Sequence, residues 1–134
     1  MEILIIALAA AASLFTAFAF FKAGKFKATS SKETLLGAGF GWVEKTPFAV
    51  VRLIAWLELV GAAGLVVAPI GYFLGYEWSI WFAVAAALGL ALTMVGAIIL
   101  HAKRGEAKYT LKMNMQLLVV SLLAAGLWAY LPLV

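Results

Sequence analysis

The stretch Thr46-Pro47-Phe48-Ala49-Val50-Val51-Arg52-Leu53-Ile54-Ala55-Trp56-Leu57-Glu58-Leu59-Val60-Gly61-Ala62-Ala63-Gly64 is apolar enough to cross a bilayer, yet it carries Arg52 and Glu58 inside it. An ionised side chain at bilayer depth costs about 2.5 to 3.5 kcal/mol on insertion scales, so a chain that keeps two must give them partners or a wet cavity. The rest of the chain is therefore read as the walls around these two residues.

Composition supports a lipid solvent. Of the 134 residues, 66% are hydrophobic, and the mean hydropathy of +1.09 is far above the soluble norm, in which about 45 to 50% of residues are apolar. The chain has no cysteine, which excludes disulfides, thiolate metal sites and thiol redox chemistry on this polypeptide, and a single histidine argues against a transition-metal site. The net charge of +4 does not point to nucleic acid, because the cations sit in two loops where they act as topology determinants.

Four spans follow from length and hydropathy, in one domain covering residues 1–134. Ile3 to Phe21 is an uncharged run long enough for ~30 Å of hydrocarbon. With Glu2 and no cation before it, it reads as a retained span and not as a cleaved leader. The second span is expected at 47–67, stopped by Pro69 and Gly71, with an aromatic turn over 71–77. The third is expected at 78–100 and the fourth at 111–131. Between the first two, Ser30 and Glu33 have capping-box spacing, which predicts a short interfacial helix over Lys32–Gly37. Phe40 and Trp42 are then expected as anchors at headgroup depth. The Gly37-Ala38-Gly39-Phe40-Gly41 run lacks the following Lys-Ser/Thr and the preceding strand of a phosphate loop. The fold class is all-α: a transmembrane antiparallel four-helix bundle with a short interfacial segment between helices 1 and 2.

Lys22, Lys25, Lys27, Lys32 and Lys45 in loop 1, and Lys103, Arg104, Lys108 and Lys112 around loop 3, place those loops in the cytoplasm and both termini outside. Tyr72, Tyr76, Trp78, Trp81, Trp128 and Tyr130 are read as an aromatic belt at the other interface. Helix contact in lipid depends on small residues. The expected packing faces are Ala9, Ser13, Thr16 and Gly24; Ala55, Gly61 and Ala62; Ala85, Gly89, Thr93 and Gly96; and Asn114, Ser121 and Ala125.

Glu58 is expected near the midplane and pointing inward. Arg52 lies about 120° away around the same helix, so the two need not bond directly. Arg52, Glu58, His101 and Asn114 are expected as a polar cluster in the cytoplasmic half, and Trp56 as a residue that either lines an apolar pocket or simply packs. For each, a structural alternative stands beside ligand binding. Glu58 would lock the bundle by bonding Thr93, Ser121 or Trp56, and Arg52 would snorkel to lipid phosphate or pair with Glu44. His101 would be solvated, and Asn114 would bond a neighbouring helix.

Gly41-Trp42-Val43, the helix from Val51 to Leu65 with its Arg52 and Glu58, His101-Ala102-Lys103-Arg104-Gly105-Glu106, and a last helix containing Asn114 together resemble the DoxX-like family of small membrane proteins. Lys22-Ala23-Gly24-Lys25-Phe26 resembles that family's Gly-Lys junction. The resemblance implies a four-helix protein of a bacterial inner membrane. Relatives include subunits associated with thiosulfate:quinone oxidoreduction, components of oxidative-stress and thiol redox complexes and, more distantly, a chaperone for nicotinic receptors.

The expected function is a binding module, not a free-standing enzyme, with no catalytic or metal residue assigned. It would bind a lipophile such as a quinone as an accessory to membrane redox chemistry, with Arg52, Glu58, His101, Asn114 and Trp56 as binding residues. Expected partners are the lipid bilayer and either a second copy or a membrane redox partner, with no nucleic acid. Membrane assembly, as a chaperone or interaction protein, is the alternative function, and transport of a small solute or proton is the third.

Overall fold

The computed structural model describes the backbone of residues 1–134 and every side chain but that of Ala107. Its helices are α1 (Glu2–Thr29), α2 (Lys32–Gly37), α3 (Phe48–Phe73), α4 (Trp78–Lys103) and α5 (Ala107–Tyr130), with short 3-10 turns at Gly41–Lys45 and Leu131–Leu133. The four long helices are each long and apolar enough to span a membrane. They close into a ring in which α1 packs on α3 and α5, and α4 on α3 and α5, while the diagonal pair α1 and α4 barely touches. This is the antiparallel bundle expected from short second and third connections.

All four spans are longer than expected. Helix α1 continues past Phe21 to Thr29. The charged stretch that reads as loop holds no proline and several good helix formers, so it extends the helix above the apolar run. Pro69 does not stop α3; it is buried inside a helix that runs to Phe73. A proline frees only one carbonyl of the preceding turn, and close neighbours in a bundle tolerate that. Helices α4 and α5 approach each other more closely than expected, leaving only Arg104–Glu106 as the turn. Gly105 there has φ +74°, a left-handed conformation that a glycine adopts without strain.

Helix α2 forms where expected, but Ser31 caps it, its Oγ accepting from Thr34 N at 3.1 Å. Ser30 is unavailable because it ends α1. Trp42 is not a headgroup anchor. It is buried with Leu35, Val43 and Val51 in a small core beneath the connecting segment. Phe40 packs on Phe26, ring centroids 5.6 Å apart.

Small residues face inward on α1, where Ala9, Ser13, Thr16 and Gly24 are all buried, and at Ala55 and Ala62 of α3. The same holds for Asn114, Ser121 and Ala125 of α5. On α4 the expected face is the wrong one. Ala85, Gly89 and Gly96 are exposed, while Ser79, Ala83, Ala87 and Ala91 are buried. Small residues occur all round α4, so their spacing cannot select its inner arc; the positions of α3 and α5 do. Trp128 also leaves the expected aromatic belt. It is fully buried, its Nε1–H donating to Ser13 Oγ at 2.7 Å and so joining α5 to α1.

Helices α1 and α3 approach closely at Gly24. A Cβ there would meet Ala55 O at 3.0 Å, Leu59 Cγ at 3.1 Å and Glu58 Cβ at 3.2 Å. Two of these atoms are fixed to the α3 backbone, so only a shift of the whole helix makes room. Gly24→Val is therefore expected to cost about 1 to 3 kcal/mol through overpacking, read as a lowered unfolding midpoint in detergent. A midpoint equal to the wild type would show that the two helices do not meet here.

Candidate functional site

The close approach at Gly24 brings the inner face of α1 to Glu58. One helical turn beyond Gly24 the same face carries Lys27, whose Nζ donates to Glu58 Oε1 at 2.7 Å and lies 2.7 Å from Oε2. The ammonium thus straddles the carboxylate. Both side chains are withdrawn from solvent, at 10% and 2% exposure, so the pair is an internal one linking α1 to α3. Burying both charges costs desolvation, and their mutual attraction offsets it only while both partners are present.

Arg52 sits nearer the start of α3 and faces the last turn of α1. Its Nη1 donates to Lys27 O at 2.7 Å and its Nη2 to Ser30 O at 2.8 Å. Its guanidinium carbon lies 4.5 Å from the Phe48 ring centroid. The end of a helix leaves carbonyls without partners and carries partial negative charge. A planar guanidinium with several fixed donors can serve two such carbonyls at once. Arg52 is thus the C-terminal clasp of α1, and it bonds neither Glu58 nor Glu44 among the described residues.

At the α4–α5 turn, His101 Nδ1 donates to Glu106 Oε2 at 2.8 Å and Arg104 Nε to Glu106 Oε1 at 2.9 Å. The His101 hydrogen bond holds the Glu106 carboxyl below its ordinary value, desolvation opposes this, and Arg104 adds to the lowering. A depressed carboxylate contributes stability that is present above its unfolded pKa and is lost as pH falls through the folded one. The turn is therefore expected to hold down through the ordinary carboxylate range and to loosen only below it. In a carboxyl carbon NMR titration, His101→Phe should move the Glu106 midpoint upward; an unmoved midpoint would remove His101 as the cause.

The four residues expected as one cluster thus occupy four different settings. Glu58 meets Lys27, Arg52 meets backbone carbonyls, and His101 meets Glu106. Asn114 is buried, at 4% exposure, and its Nδ2 has no hydrogen-bond partner among the described residues. The structural partners expected for Glu58 are engaged elsewhere: Thr93 Oγ1 donates to Leu90 O and Ser121 Oγ to Leu117 O. Lys27 was the missing residue. Its signal was present, because the small-residue face of α1 continued by one turn past Gly24 lands on it.

Trp56 does not pack inside the bundle. It is 59% exposed and lines a groove of about 630 Å³ between α1 and α3. Leu14, Phe18 and Phe21 form one wall, and Trp56, Ala63 and Val67 line the other. The lining is apolar apart from the Trp56 indole N–H, and the groove is open along its outer side.

Four membrane-length helices closed around an internal lysine–glutamate pair define a multi-pass membrane bundle. A family model described as the DoxX-like family matches residues 11–126, and the chain belongs to that family. Comparisons with curated proteins and with solved structures return no match.

Proposed function

We propose that this chain is a lipophile-binding module of a bacterial inner membrane, holding the apolar chain of a small molecule in the α1–α3 groove. In this reading it serves membrane redox chemistry as an accessory, in company with a redox partner, and an isoprenoid quinone is a ligand of the right tail chemistry. The groove is the observation that carries the reading. Its volume of about 630 Å³ and almost wholly apolar lining suit a hydrocarbon chain entering sideways from the bilayer. In this reading Arg52 and Glu58 serve the scaffold and not the head contact, because Glu58 is engaged by Lys27 and Arg52 by the carbonyls of Lys27 and Ser30. Orientation follows the cations. All ten lie toward the end formed by the close of α1 and the start of α3 and by the α4–α5 turn, which we assign to the cytoplasm.

Native mass spectrometry of the protein purified in mild detergent tests the reading, wild type beside Ala63→Trp. Ala63 lines the groove and is exposed, so the indole would fill the groove without entering the core. A stoichiometric lipophile on the wild type, reduced at least about tenfold in the variant, is expected for a site that ligand and indole cannot share. Equal occupancy in both would sink the reading. A ligand-free wild type held to a second copy or a membrane partner would favour an assembly role.

A further inference from the structure

We infer that the α1–α3 groove is a site for an anionic membrane lipid, its chain in the groove and its phosphate between Lys22 and Lys25. The inference rests on the groove reading above and names the head that goes with the tail. Leu14, Phe18 and Phe21 form the α1 wall of the groove, and the same ridge continues at helical spacing to Lys25, with Lys22 one turn beyond Phe18. The ammonium of Lys22 lies 5.6 Å from the Phe18 ring centroid, and that of Lys25 lies 5.9 Å from the Phe21 centroid. Both cations are therefore held over rings that line the groove, at its cytoplasmic mouth.

Neither lysine has a carboxylate partner among the described residues, where the ion pairs are Lys27 with Glu58 and Glu106 with His101 and Arg104. Both are exposed. The groove itself offers no charged side chain, and its one side-chain hydrogen-bonding group is the Trp56 indole N–H; an anionic head finds counter-charges only outside it, at Lys22 and Lys25. A phosphodiester complements them, with two charge-assisted contacts; a neutral quinone ring does not. Length agrees as well. The α3 wall from Trp56 to Val67 is about 17 Å long at 1.5 Å per residue. That is close to one leaflet of a hydrocarbon core ~30 Å thick, so a chain lying along it places its head at the level where the first lysines of α1 emerge.

The full chain in phosphatidylcholine nanodiscs, titrated with phosphatidylglycerol and read by native mass spectrometry, tests this. Phosphatidylglycerol is expected to bind at least about tenfold tighter than phosphatidylcholine. Loss of two charge-assisted contacts to the phosphate in Lys22→Gln/Lys25→Gln should weaken binding by at least about tenfold. Lys108→Gln/Lys112→Gln, which removes the same charge from the α5 end, should weaken binding clearly less, because those lysines act on the groove only through the screened surface potential.

Equal weakening by the two double variants would mean diffuse surface attraction and would overturn the inference. Equal affinity for the two lipids and for a long-tailed quinone, all lost in Ala63→Trp, would overturn the head assignment and leave the groove reading standing. Binding of every probe unchanged in Ala63→Trp would overturn both.

Discussion

Glu58→Leu is expected to destabilise the folded bundle by about 3 to 5 kcal/mol, the range for a buried ion pair that loses one partner. The leucine leaves the Lys27 ammonium inside the α1–α3 contact at 10% side-chain exposure, with no acceptor. Most of the loss comes from that stranded charge and not from the bond itself. Lys27→Met/Glu58→Leu should therefore recover most of the stability. Glu58→Gln, which keeps an acceptor for the lysine, should cost only about 1 to 2 kcal/mol. Unfolding curves in mixed micelles of a mild detergent and dodecyl sulfate measure all three. A double variant no more stable than Glu58→Leu would show that the two side chains act separately, contrary to the 2.7 Å contact.

Arg52→Met is expected to cost about 2 to 4 kcal/mol, because two charge-assisted hydrogen bonds to carbonyls are lost while the apolar stem is kept. The damage should be local. Lys27 O and Ser30 O lose their donors, so amide exchange should accelerate from the last turn of α1 into α2, with α4 and α5 unchanged. Arg52→Lys should recover less than half of the loss, because one ammonium cannot span two carbonyls as a guanidinium does. Uniform acceleration over the whole bundle would mean that Arg52 supports the fold generally and not the end of α1. The effects of Arg52→Met and Glu58→Leu should not add simply, since both residues engage Lys27, one through its backbone and one through its side chain.

Much of the fold is legible in the residues because hydropathy and length are local properties. The apolar runs, the charged connection around Arg104–Glu106 and the short helix at Lys32–Gly37 can each be read without knowing what lies beside them. Termini of helices are less legible where charge and helix propensity disagree, as in Lys22–Thr29, which is polar yet helical. Pro69 misleads for a related reason: its cost is set by whether neighbouring helices accommodate a freed carbonyl, and that depends on packing. Of the candidate site, the isolated charges Arg52 and Glu58 were legible as residues needing partners. The identity of those partners was not.

The sequence by itself determined that this chain lives in a membrane as four helices and that all its cations gather toward one end. It also determined that Glu58 requires an internal partner, because the cost of a bare charge in hydrocarbon does not depend on the fold. Only the tertiary structure decided that the partner is Lys27, that Arg52 clasps the end of α1, and that Trp128 turns inward while Trp56 turns out. It alone set α1 and α3 so that a groove opens between them beside Lys22 and Lys25. Each of these depends on which helices are neighbours and in what register, and contacts between residues 27 and 58 or 13 and 128 exist only after the chain has closed on itself.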